Sequence, residues 1–126
     1  MICLNMIVRN ESKNIERLLK SVAPIVNSYC ICDTGCTDNT IEVMRTFFEK
    51  HNKKGKFVNE PFRDFGYNRT FALKQCLNMD ADYILLLDAD MILSINPAFT
   101  AKDLKRQICN YDAIYVYQGS EKFFYK

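Results

Sequence analysis

The sequence predicts an α/β fold with a mostly parallel central sheet flanked by helices, and three observations carry that expectation. Short apolar runs of strand length alternate with segments whose apolar residues recur at helical spacing. One run, Tyr83-Ile84-Leu85-Leu86-Leu87, is apolar enough to be a central strand buried on both faces. No linker or internal repeat interrupts the alternation, so the 126 residues read as a single domain.

Residues 2–8 are apolar apart from Asn5 and form the first expected strand, followed by a polar loop at 9–11. Ile15, Leu18, Leu19 and Val22 then fall at i, i+3, i+4 and i+7, which predicts an amphipathic helix with Ser12 as its cap and Pro24 as its stop. Residues 29–32 repeat the pattern as a second strand ending on Asp33. After a loop at 34–38, Ile41, Met44, Phe47 and Phe48 mark a second helix, and Asn39 with Glu42 has the spacing of a capping box. Lys53, Lys54 and Lys56 read as a solvated turn, 56–59 as a weak third strand and 62–67 as an aromatic, charged loop. Leu73, Cys76 and Leu77 give the apolar spacing of a third helix. Beyond the apolar run, 91–95 is expected to be extended, Asn96-Pro97 to turn, 100–108 to form a short helix and 113–118 a further strand.

Composition excludes several classes. Hydrophobic residues make up 48% and charged ones 25%, the balance of a globular protein. A net charge of +2 gives no case for nucleic acid, which asks for a strongly basic face. No apolar run approaches the roughly eighteen residues of a membrane span, and the N-terminus lacks a secretory pattern, so a cytoplasmic location is expected. Cys3, Cys30, Cys32, Cys76 and Cys109 sit in apolar or semi-apolar surroundings, where cysteine behaves as a small hydrophobe, and a reducing compartment follows. Asn10-Glu11-Ser12 and Asn68-Arg69-Thr70 match the glycosylation sequon, which has no meaning without a secretory signal.

Chemistry concentrates where the apolar run stops on Asp88 and Asp90, separated by Ala89. In extended chain, residues two apart project to the same side, roughly 7 Å apart at the backbone. Two anions so placed need a cation, and Mg²⁺ or Mn²⁺ is commonly held by one or two carboxylates plus substrate phosphates. Ligands of open α/β sheets sit beyond the carboxyl ends of the strands, which brings the loop 9–11 and Asp33 to the same place. Asp33 is suited to accept hydrogen bonds from a ribose hydroxyl or a base N–H, or alternatively from its own turn. The first loop contains no glycine, so no glycine-rich phosphate cradle exists there and a bound diphosphate would need a cation instead. Arg69, early in the third helix, could reach a base carbonyl or a phosphate oxygen.

Four blocks, MIVRNESKNIERLLKSV, CDTGCTDNTIEVM, DFGYNRTFALK and DYILLLDADM, resemble in order and spacing those of glycosyltransferase family 2. The resemblance covers about the first hundred residues and implies a Rossmann-like GT-A fold that binds a nucleotide sugar. It implies that Ile7, Arg9 and Glu11 line the base and ribose, that Asp33 contacts the nucleoside, and that Arg69 is the arginine of the third block. Asp88, Ala89 and Asp90 match the DxD motif, with Asp90 the principal metal ligand and Asp88 beside the ribose and metal. Thr70 stands where asparagine is usual and Cys36 where serine is, the latter a change expected to be tolerated. The implied reaction is transfer, with inversion, from a nucleotide-diphosphate sugar, a UDP-sugar by preference, to a glycan, protein or lipid acceptor. The family's later half supplies the acceptor site and base, so the chain is expected to be the donor-binding domain and no base is assigned.

Three other readings compete. Without that later half the chain could be a nucleotide-sugar-binding module that performs no transfer. A phosphatase or phosphotransferase of the haloacid dehalogenase type also carries DxD after an apolar strand, but that motif usually opens the chain, and here Met91 stands where threonine or valine is common. Zinc on Cys30, Cys32 and Cys36 would require a non-standard spacing, and the single histidine, His51, lies far away.

Overall fold

The computed structural model describes residues 1–93. Two strands, β1 (Ile2–Val8) and β2 (Ser28–Asp33), form the apolar centre, and nearly every residue of both is buried. They pair in parallel, with β3 (Lys54–Asn59) added beyond β2 and β4 (Tyr83–Leu86) beyond β1, giving the order β3-β2-β1-β4. Parallel neighbours require crossovers, and the helices α1 (Ile15–Val22), α2 (Thr40–Lys50) and α3 (Phe65–Cys76) supply them.

The two faces of the sheet are built differently. Tyr29 of β2 stacks on Phe48 of α2 with ring centroids 3.8 Å apart, so alternate residues of the centre strands meet α2 and the α1 that packs beside it. The opposite face carries Cys3, Asn5 and Cys30 toward α3. There the side chain of Asn5 donates to the carbonyls of Cys30 and Ala72, both at 3.1 Å, tying α3 to the strands. Helices on both faces of a parallel sheet are the expected α/β architecture.

Several expectations require correction. The run ending at Leu87 is not buried on both faces: β4 pairs with β1 alone among the described residues and is half-buried, with Leu86 exposed. Lys54 and Lys56 belong to β3 rather than to a turn, because pairing with β2 runs from Ser28↔Lys54 to Asp33↔Asn59. Gly55 allows this strand to close on Tyr29, since a Cβ there would lie 2.0 Å from the Tyr29 carbonyl oxygen. α3 starts at Phe65, inside the expected loop, with the Asp64 carboxylate capping the Tyr67 amide. It buries Asn68, Ala72 and Cys76 and leaves Leu73 and Leu77 exposed, because small side chains let it approach the strands closely.

The caps also differ. Neither Ser12 nor Asn39 caps with its side chain: α1 opens on the Glu11 carbonyl, and Asp38 caps α2 by accepting from the amide and hydroxyl of Thr40. The elements expected over 95–118 lie outside the described residues, as does part of the expected domain 1–126, and 91–93 take no regular structure. Among the described residues, no helix is long and apolar enough to cross a membrane.

Candidate functional site

β1, β2 and β3 end level, with Val8 opposite Asp33 and Asp33 opposite Asn59. The chain runs from β1 outward to β3, then returns through α3 to the other side of β1, so strand order reverses at β1. A crevice beyond the strand ends at such a reversal is where open α/β sheets bind ligands.

The loops after β1 and β2 are joined there. The amide and hydroxyl of Thr34 both donate to the Val8 carbonyl at 3.1 Å. Asn10 adopts a left-handed backbone, φ 52°, and its side-chain oxygen accepts from the amides of Thr37 and Asp38 at 2.7 and 3.2 Å. The Glu11 amide donates to the Thr40 hydroxyl at 2.9 Å, and that of Ser12 to Asp38 at 3.4 Å. Cys36 takes part as a hydroxyl would, accepting from the Asn10 amide at 3.4 Å and donating to the Val8 carbonyl at 3.7 Å. Burial raises its thiol to about 11, so it stays protonated at neutral pH and is a packing residue rather than a nucleophile. The Thr40 hydroxyl bonded to Asp38 holds that carboxyl down at about 2.

Asp33 stands at the centre of this group. Its Oδ1 accepts from the amides of Gly35 and Cys36 at 2.9 and 2.7 Å, so the turn-forming role is real. Oδ2 makes no hydrogen bond among the described residues, and one carboxylate oxygen remains for a ligand. Gly35 holds φ at 129°, a glycine conformation, and the Arg9 side chain passes alongside it, 3.9 Å from where a Cβ would stand. Arg9 is exposed, Ile7 and Glu11 are half-buried, and Glu11 receives a long bond from the Asn14 side chain at 3.5 Å.

On the other side of β1, Arg69 and Asp88 meet in an ion pair at 2.5 Å. The expectation that Asp88 and Asp90 project together from an extended strand does not hold. Strand pairing ends at Leu86, and residues 88–91 turn, closed by the Met91 amide donating to the Asp88 carbonyl at 3.1 Å. Asp88 is half-buried, Ala89 is buried, and Asp90 is exposed with no side-chain partner among the described residues. Among those residues, no cluster of three His, Cys, Asp or Glu side chains could hold a metal by itself, and the zinc reading of Cys30, Cys32 and Cys36 finds no support. All five described cysteines are free thiols.

The fold therefore draws the loop 9–11, Asp33, Arg69 and Asp88 to the carboxyl ends of the strands. Sequence reasoning missed the residues that hold them. Asn10, Asp38 and Thr40 form the clasp, and an asparagine two residues beyond a strand was the available signal, since asparagine tolerates the left-handed region. Arg17 and Ser21 of α1 reach the turn after β4, bonding the Asp90 carbonyl at 3.4 Å and the Leu93 amide at 3.0 Å, with no local sequence signal.

The sequence model of glycosyl transferase family 2 matches residues 3–125. The chain belongs to that family. Among relatives of this family 2 chain, the uncharacterized glycosyltransferase RP128 of Rickettsia prowazekii (strain Madrid E) is 27% identical over 123 residues, spanning 92% of this chain and 39% of its own. The prophage-derived glycosyltransferase SunS of Bacillus subtilis (strain 168) is 31% identical over 94 residues, 74% of this chain and 21% of SunS. The chain thus spans well under half the length of these relatives. Among solved structures, S. aureus TarS 1-349 in complex with UDP superposes with a TM-score of 0.64 at 22% identity, covering 86% of this chain and 32% of that one. Mycobacterium tuberculosis glucosyl-3-phosphoglycerate synthase in complex with Mn²⁺ and UDP-glucose gives a TM-score of 0.50 at 19% identity, covering 73% and 34%. The shared architecture is the GT-A fold.

Proposed function

We propose that this chain is the donor-binding domain of a glycosyltransferase that moves a sugar, with inversion, from a nucleotide-diphosphate sugar to an acceptor hydroxyl. The acceptor is a glycan, protein or lipid, and the donor we favour is a UDP-sugar, because two solved structures of the same fold hold UDP and UDP-glucose. The observation that carries the reading is the convergence of the loop 9–11, Asp33, Arg69 and Asp88 at the point where strand order reverses. Asp33 offers its open oxygen to the nucleoside, while Ile7, Arg9 and Glu11 line the base and ribose. Arg69 serves the donor's polar groups and steadies Asp88.

A divalent cation, Mn²⁺ or Mg²⁺, fits the acidic turn chemically. The Asp90 carboxylate is exposed and unpaired among the described residues, and Asp88 keeps one oxygen beyond its bond to Arg69. Two hard oxygen donors with the remaining positions left to phosphates and water suit either ion. Such an ion would neutralise the diphosphate and stabilise the charge on the leaving nucleotide. The five described cysteines, all free thiols, agree with a reducing, cytoplasmic setting.

Titrating UDP into the protein calorimetrically, with Mn²⁺ and again with EDTA, tests this reading. Binding that needs the metal is the expected result. Absence of binding by any nucleoside diphosphate would favour a fragment without donor-site function.

A further inference from the structure

The loop 60–64, between β3 and α3, lies against Asp33. The Glu60 amide donates to the Asp33 carbonyl at 3.0 Å and the Phe62 amide to that of Thr34 at 3.2 Å. What holds the loop from below is Asn68, a fully buried polar side chain of α3. Its Oδ1 accepts from the Arg63 amide at 2.8 Å, and its Nδ2 donates to the carbonyls of Pro61 and Glu60 at 3.2 and 3.4 Å. Every bond of this side chain therefore goes to the backbone of that one loop. From outside, the Tyr67 hydroxyl donates to the Glu60 carboxylate at 2.7 Å, and the Arg63 guanidinium lies 4.6 Å from the centre of the Tyr67 ring.

We propose that Asn68 is a positioning residue that sets nucleotide affinity without touching the nucleotide, by fixing the loop 60–63 against Asp33. The inference rests on the proposed function and deepens it. A buried amide with three backbone partners does more than fill space, because losing it would leave those backbone groups unpaired. Its sequence neighbour Arg69 bonds Asp88, so one turn of α3 secures both the nucleoside loop and the acidic turn.

The test compares wild type with Asn68→Ala and Asn68→Asp in the full chain, using UDP titration and amide hydrogen exchange. Asn68→Ala should weaken UDP binding about tenfold or more and deprotect the Phe62 and Arg63 amides, while the amides of β1 and β2 stay protected. Asn68→Asp should be pH-dependent relative to wild type at each pH. As a carboxylate it repels the Pro61 and Glu60 carbonyls; once protonated it regains a donor, so affinity should recover as pH falls. Residues that act only by packing would give no such recovery. Wild-type binding with unchanged affinity in both variants would overturn the inference alone, as would loss of strand protection in step with the loop. A wild type that binds no nucleoside diphosphate would remove the proposed function, and the inference with it.

Discussion

The two sides of β1 present the same kind of surface, loops at strand ends, yet they are constructed in opposite ways. On one side the loops after β1 and β2 are clasped by Asn10, Glu11 and Ser12 bonding Thr37, Thr40 and Asp38, with Asp33 folded into its own turn. On the other, the turn after β4 is held by the Arg69–Asp88 pair and two bonds from α1, and Asp90 faces solvent. The difference matches the chemistry proposed for each side. A nucleoside is recognised by shape and a few directed hydrogen bonds, so preorganised loops lower the entropy lost on binding. Carboxylates that await a cation would be costly to bury unpaired, so they are better left hydrated.

This contrast can be broken by substitution. Asn10→Ala removes bonds to Thr37 and Asp38 and puts alanine at φ 52°, so unfolding free energy should fall by about 2 kcal/mol. Asn10→Gly loses the bonds but not the backbone freedom and should recover roughly half of that in urea denaturation. Equal losses would mean that the left-handed backbone is not part of the clasp's stability.

Arg69→Met should reduce stability less, by under about 1 kcal/mol, because both partners of the ion pair are partly exposed and screened. UDP affinity should fall further than stability does. A loss of 3 kcal/mol or more on denaturation, on the order expected for a buried pair, would make this side as structural as the other.

The smallest effect is a pH dependence. The Asp38 carboxyl is depressed to about 2 from an ordinary value of 3.8. Its contribution should be fully present above about pH 4 and lost as pH falls toward about pH 2, since the unfolded chain takes up the proton first. The difference in thermal midpoint between wild type and Asp38→Asn should therefore be flat above that window and shrink within it. A difference that instead grows as pH falls would contradict the clasp as described.

Much of this was legible in the sequence because apolar periodicity reports burial. Ile15, Leu18, Leu19 and Val22 are the buried face of α1, and 2–8 is the first strand. Where periodicity failed, another quantity decided the outcome. An apolar run does not fix how deeply its strand is buried, and Leu86 lies exposed in β4. Lys54-Gly55-Lys56 has no apolar signal, yet β3, paired with β2 alone among the described residues, is held by that one ladder and Gly55 fits over Tyr29. In α3 the face toward the strands was chosen by Asn68, Ala72 and Cys76 rather than by its leucines. Strand ends placed the loop 9–11 and Asp33 where the structure has them, whereas the turn at 88–91 has no signal in the spacing of Asp88 and Asp90. The pairing of Arg69 with Asp88 and the clasp around Asn10 are tertiary facts, set by which loops the sheet brings together.

The most direct test of the divided site is to titrate uridine and UDP separately into wild type and Asp90→Ala, each with Mn²⁺ and with EDTA. Uridine should bind all four samples alike, and Mn²⁺ should strengthen UDP binding in wild type but not in Asp90→Ala, whose thermal midpoint stays unchanged. A metal-dependent gain for UDP that survives in Asp90→Ala would contradict the assignment of the acidic turn to the diphosphate.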